Sequence, residues 1–190
     1  AADNSVQFNG TINADNAAAN NRALLVLAGS GTATFSDNLG MVQALADLDV
    51  TAATIMFNRA TPQTVQVDDQ GGNTVTFNGA VIVAVDLLTV DTDGAADNSV
   101  QFNGTINADN AAVNNRALTV TAGTGSATFG GDMGTTQALA DFDVAAATIT
   151  FSGASPQTVQ VDDQGGNIVT LTGAIVLATN LTVDTDGAAD

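Results

Sequence analysis

The stretch Val6–Ile12 reads VQFNGTI, and Val75–Val81 reads VTFNGAV. In both, apolar residues alternate with polar ones and run into an Asn-Gly pair. That is the pattern of a short strand with one buried face, ending at a tight turn. Ile149-x-Phe151-Ser152-Gly153 and Val169-x-Leu171-Thr172-Gly173 are variants of it. Ahead of each lies a second short strand of form Leu/Val-x-Val: Leu24-x-Val26, Leu48-x-Val50, Val65-x-Val67 and Leu88-x-Val90. Polar turns such as Ala28-Gly29-Ser30-Gly31 and Asp68-Asp69-Gln70-Gly71-Gly72-Asn73 separate the two kinds of strand.

The phenylalanines set the period. With Phe142 left aside, Phe8, Phe35, Phe57, Phe77, Phe102, Phe129 and Phe151 are spaced by 27, 22, 20, 25, 27 and 22 residues, and Leu171 continues the series after 20. Two or three short strands in roughly 23 residues make one coil of a parallel β-helix, whose apolar face is buried only when coils stack. The spacing therefore predicts an all-β chain, a parallel β-helix or β-solenoid with about four coils per long repeat. Phe8, Phe35, Phe57, Phe77, Phe102, Phe129, Phe151 and Leu171 are expected as one inward ladder, with a step of about 4.8 Å. Asn9, Asn58, Asn78 and Asn103 are expected as a polar ladder at the turn. The rival is a string of immunoglobulin- or cadherin-like β-sandwiches, for which roughly 94 residues is the right size. Sandwiches do not need the Phe-Asn-Gly template four times per unit, and the chain has no Trp, Tyr or Cys for such a core.

Above this period sits a longer one. Ala1–Ala18 recurs letter for letter as Ala95–Ala112, and Pro62–Asn73 returns as Pro156–Asn167. One residue is dropped near Leu87/Leu181 before TVDTDGAAD repeats. The chain divides into repeat 1 (residues 1–94), repeat 2 (residues 95–187) and the start of a third (residues 188–190). In-phase tandem arrays are a property of fibres and stalks. Residues 13–21 and 107–115 lengthen one coil in each repeat and are read as loops leaving the rod, as binding segments or as neutral surface.

Composition narrows the role. All acids are Asp and all bases are Arg (Arg22, Arg59 and Arg116), and the formal charge is −17. Such a surface is unsuited to nucleic acid or to anionic lipid. No Cys means no disulfide and no thiolate metal site. The longest apolar run, Ala80–Val90, is too short to span a bilayer and is interrupted by Asp86.

The best chemical candidate is Asp91-Thr92-Asp93-Gly94 with Asp97, repeated as Asp184, Asp186 and Asp190. Alternate carboxylates before a Gly are candidate ligands for Ca²⁺, which takes six to eight hard oxygens. The competing reading is a solvated turn. Asp68-Asp69 and Asp162-Asp163 are adjacent acids, which on a strand point to opposite faces and so do not flank one bond. With no His or Lys, the parts for acid–base catalysis are nearly absent, and no enzyme is expected. Arg22 and Arg116 hold equivalent places beside Asp-rich loops and are expected to form local ion pairs. Arg59 becomes Gly153 in the second copy, as an exposed, tolerant position would.

The short strands, Phe-Asn/Ser-Gly turns and Ala-Gly-x-Gly spacers resemble those of filamentous-haemagglutinin-like and autotransporter-passenger-like bacterial β-strand-repeat surface proteins. The resemblance covers the entire chain and is compositional. It implies a right-handed helix, an extracellular or cell-surface location, and a role as adhesin, stalk or matrix fibre. On this footing the expected function is a structural segment of a long secreted bacterial rod. Its partners would be copies of itself, with host or environmental glycans as further candidates, and it would require no cofactor. The alternatives are a calcium-dependent cadherin-like adhesion module and a polysaccharide-binding or -degrading β-helix.

Overall fold

The computed structural model describes residues 3–15, 22–67, 73–94, 97–109, 116–161 and 166–186. In chain order the strands are β1 (Val6–Phe8), β2 (Ala23–Phe35), β3 (Asp47–Phe57), β4 (Gln63–Gln66), β5 (Thr74–Val83), β6 (Leu87–Asp91), β7 (Ser99–Phe102), β8 (Ile106–Ala108), β9 (Ala117–Phe129), β10 (Phe142–Phe151), β11 (Gln157–Gln160), β12 (Val169–Leu177) and β13 (Leu181–Asp184). Every pairing among the described strands is parallel. Parallel pairing throughout identifies a β-solenoid and excludes the antiparallel sandwich alternative.

Each coil has three faces, visited in a fixed order. Face one stacks Phe8, Phe35, Phe57, Val83 and Ala108, then continues through Met133 to β11 and β13. Face two runs from Ile12 through Leu39 and Val65 to Val90, Val120, Val144 and Leu171. Face three stacks Val26, Val50, Phe77, Phe102, Phe129, Phe151 and Leu177, which spans six turns. The long strands β2, β3, β5, β9, β10 and β12 bend at a register shift or corner and so serve two faces each. Alternation explains the burial: in β3 the residues Leu48, Val50, Ala52, Ile55 and Phe57 point in, and the residues between them face outward.

The register corrects the single aromatic ladder. The shortest spacing, 20 residues from Phe57 to Phe77, is two faces and not a full coil. Phe77 therefore lies in register with Val50, while Phe57 is followed by Val83. Their rings meet edge to face across the interior at 5.7 Å. Leu171 likewise pairs with Val144, and it is Leu177 that follows Phe151. The phenylalanines thus form two stacks, Phe8–Phe35–Phe57 and Phe77–Phe102–Phe129–Phe151, with centroids 5.0–5.7 Å apart. Phe142, outside the sequence series, packs edge-on against Phe129 at 5.2 Å and is fully buried.

One consequence reaches the whole chain. Between Phe8 and its twin Phe102 the backbone crosses eleven faces, or three and two-thirds coils, in place of the four inferred from the anchors. Phe8 lies on face one and Phe102 on face three. Every position of the second repeat is therefore turned by one third of a coil relative to its counterpart in the first.

Candidate functional site

The most developed polar constellation lies at the joint where repeat 1 meets repeat 2. Thr92 sits between Asp91 and Asp93, so its side chain points opposite to theirs, into the stack. It is completely buried. Its backbone N–H donates to Thr121 O at 2.8 Å, and its hydroxyl donates to Asn98 O at 2.7 Å. Asn98, 1% exposed, closes the joint from the other side. Its N–H donates to Thr92 O, its Nδ2 donates to Val67 O, and its Oδ1 accepts from Asn73 N–H. Each buried polar group here is paired, as burial demands.

The acids do turn and capping work. Asp91 Oδ1 accepts the N–H of Asp93 at 3.0 Å, and Asp184 does the same for Asp186 at 3.1 Å. Asp97 Oδ2 accepts both the hydroxyl (2.6 Å) and the N–H (2.7 Å) of Thr124. The hydroxyl bond first, then the N–H bond, holds the Asp97 carboxyl below its ordinary value of 3.8. Asp3 makes the equivalent bond to Ser30 N–H at 2.8 Å and is also lowered by it. Among the described residues no group of three or more His, Cys, Asp or Glu is gathered for a metal. Asp190, Asp68-Asp69 and Asp162-Asp163 lie outside the described residues.

The turn asparagines fall into two columns, again because the 20-residue step is two faces. On one, Asn103 Nδ2 donates to Asn78 Oδ1, and Asn78 Nδ2 donates to Thr51 Oγ1 at 3.3 Å. On the other, Asn9 accepts from Gln7 at 2.7 Å, and Asn58 N–H donates to Phe35 O. The arginines pair locally: Arg22 with Asp15 at 3.0 Å, and Arg116 with Asp109 and, across the joint, Asp86. Arg59 is not free: it pairs with Asp37 at 3.0 Å.

The chain matches no protein-family model, no curated protein and no solved structure.

Two residues passed over in the sequence turn out to matter. Gln63 and Gln157 are 0% and 2% exposed. Gln157 Nε2 donates to Phe129 O (3.1 Å) and Gly131 O (2.9 Å) of the coil below, while its Oε1 accepts Gly153 N–H at 2.8 Å. Gln63 repeats this with Phe35 O, Asp37 O and Arg59 N–H. The signal was in the pattern: Gln63, Val65 and Val67 alternate, so the glutamine shares the inward face of the valines.

At the end of the rod where the chain starts, a depression of about 470 Å³ is lined by Asp3, Asn4, Ser5, Val6, Leu27, Ala28 and Gly29. These are the counterparts of Asp97–Val100 and Thr121–Gly123, which enclose Thr92 at the internal joint.

Proposed function

We propose that the chain is a non-catalytic structural segment of a secreted bacterial surface protein, a stiff rod that serves as an adhesin stalk or extracellular fibre. The observation that carries this reading is the repeat joint itself. Leu88, Val90, Val100 and Phe102, which meet there, are as buried as residues inside either repeat. A mechanical break at a domain boundary is thereby avoided, unlike in a chain of separate domains on linkers. Backbone hydrogen bonds along the axis and dry apolar stacks resist bending together. The surface location rests on the cysteine-free composition, the acidic surplus and the resemblance in repeat style, and self-association and glycans are the partners that go with it.

The test is a chain of four or more concatenated repeats imaged as single particles. The expected outcome is an unbranched rod that lengthens by about 18 Å per repeat. Beads on a flexible string, or a compact particle, would overturn the reading. Treatment with a chelator is expected to leave the melting temperature unchanged, since on this reading the joint closes through the bonds that Thr92 and Asn98 make within the chain.

A further inference from the structure

An Asn-Gly pair is chemically fragile, because a glycine without a Cβ lets its own backbone nitrogen reach the side chain of the residue before it. Two such pairs stack on each other in the interior of the rod. Val75–Val81 reads VTFNGAV and Val100–Ile106 reads VQFNGTI, with Phe77 in register with Phe102. Unfolded, Asn78-Gly79 and Asn103-Gly104 are nearly the same substrate, and the fold is what sets them apart.

Asn78-Gly79 lies within β5, and Asn78 is half-buried. Its amide is gripped from both neighbouring coils: Nδ2 donates to Thr51 Oγ1 at 3.3 Å on one side, and Oδ1 accepts from Asn103 Nδ2 on the other. Asn103-Gly104 lies in the corner between β7 and β8, outside both strands, and Asn103 is exposed. Among the described residues, the Asn103 amide bonds to a neighbouring coil on one side alone, through Asn78. Its Oδ1 accepts from Gln101 of its own coil at 2.6 Å. On the other side the next coil brings Gly130, which has no side chain to grip with.

We propose that Asn103 is a site of spontaneous deamidation in the folded chain, and that the fold shields Asn78 from the same reaction. The Gly104 nitrogen, on losing its proton, attacks Asn103 Cγ. A new C–N bond forms, the C–N bond of the side-chain amide breaks, and ammonia leaves with the equivalent of that proton. Water then opens the five-membered ring at either carbonyl, giving aspartate or isoaspartate. The balance is one water consumed and one ammonia released.

Either product disturbs the column. A carboxylate cannot donate to Asn78 Oδ1, so a hydrogen bond gives way to two acceptors that face each other. Isoaspartate also lengthens the backbone at a corner without slack, where a Cβ on Gly104 would fall 2.2 Å from Gly79 O.

The experiment uses the whole 190-residue chain, held at mildly alkaline pH in native buffer and, in parallel, in guanidinium chloride. Proteolysis on the N-terminal side of aspartate separates residues 69–85, with Asn78, from residues 97–108, with Asn103. Mass spectrometry then follows each amide-to-acid conversion with time. In denaturant the two asparagines are expected to convert at similar rates. In the folded chain Asn103 is expected to convert at least roughly tenfold faster than Asn78, because the strand must open locally before Asn78 can react. The Asn103→Gln variant should lose the gain in mass in residues 97–108. Asn103→Asp, which supplies the carboxylate at once, should melt below the parent. Similar native rates for the two sites, or a faster Asn78, would overturn the proposal. So would an Asn103 that stays intact in the folded chain after the denatured chain has converted fully. A gain in residues 97–108 that persists in Asn103→Gln assigns the reaction to Asn98 and equally sinks it. An unchanged melting temperature for Asn103→Asp would remove the role given to this amide in the column. Should Asn103→Gln fail to fold, the comparison of native and denatured parent decides alone.

Discussion

Gln157 shows how much a single buried side chain does in this stack. Replacing it with Leu removes all three of its bonds: Phe129 O keeps the Ser152 N–H, while Gly131 O and Gly153 N–H lose this partner. A loss of about 2–4 kcal/mol is expected from chemical denaturation. Gly79 makes a similar point through absence. Its φ is +153°, and a Cβ there would fall within 2 Å of Ala52 O in the coil below. Gly10 carries the same Asn-Gly motif but has nothing within 4 Å. Gly79→Ala should therefore cost more than about 2 kcal/mol, and Gly10→Ala less than about 0.5 kcal/mol. Denaturation midpoints of the two variants check this. The carboxylates give a pair of opposite pH effects. Asp97 is lowered by its bonds to Thr124, so its contribution is present above 3.8 and is lost as pH falls through the lower folded value. Asp97→Asn should flatten that acid limb of a stability–pH curve. Asp47 is raised, chiefly by burial and then by Asp49, so its charge opposes folding at neutral pH. Asp47→Asn should stabilise there, and its advantage should shrink as pH falls through the raised value. The inward places of Gln63 and Thr92 were legible in the alternation. Their bonds to the neighbouring coil were not, since those partners lie 26 to 29 residues away in the chain.

At the scale of the strand, the value of a phenylalanine depends on what lies above and below it. Phe102 is sandwiched between Phe77 and Phe129 at 5.0 and 5.5 Å and is fully buried. Phe8 has the same local sequence but a ring neighbour, Phe35, on one side alone among the described residues. Phe102→Ala is expected to cost about 3–5 kcal/mol and Phe8→Ala clearly less, as measured by urea unfolding. That short strands stack in parallel was readable because a coil needs the same kind of residue at every level. Which strand stacks on which was not. All three faces use the same alternation and the same turn residues. A 20-residue step that crosses two faces therefore looks almost like a 22-residue step that crosses three. The misplacing of Phe77 on Phe57, of Leu171 on Phe151, and of the asparagines in one column all follow from that ambiguity. The Asp-Thr-Asp-Gly segment was ambiguous for another reason: the residues that suit a calcium loop are also those that close a turn by accepting backbone N–H groups.

For the molecule as a whole, the third of a coil left over in each repeat sets the symmetry of any extended array. Successive repeats rise by about 18 Å and turn by one face, so the structure returns to its starting orientation after three repeats and eleven coils, about 53 Å. Oriented fibres of concatenated chains should give a meridional reflection near 4.8 Å, with a layer-line spacing that corresponds to the three-repeat distance. A true period equal to a single repeat would mean that each copy begins on the same face, contrary to the register seen between Phe8, Phe77 and Phe102.

The mismatch between eleven and three also bears on how such a gene can change length. Contacts between neighbouring coils depend only on relative position along the chain, so unequal recombination that inserts or deletes a whole unit re-creates familiar neighbours on both sides of the crossover. Everything beyond the crossover merely swings round to another side. A lineage could shorten or extend the array freely, and a surface epitope within the unit would still be presented to all three directions once three units are retained.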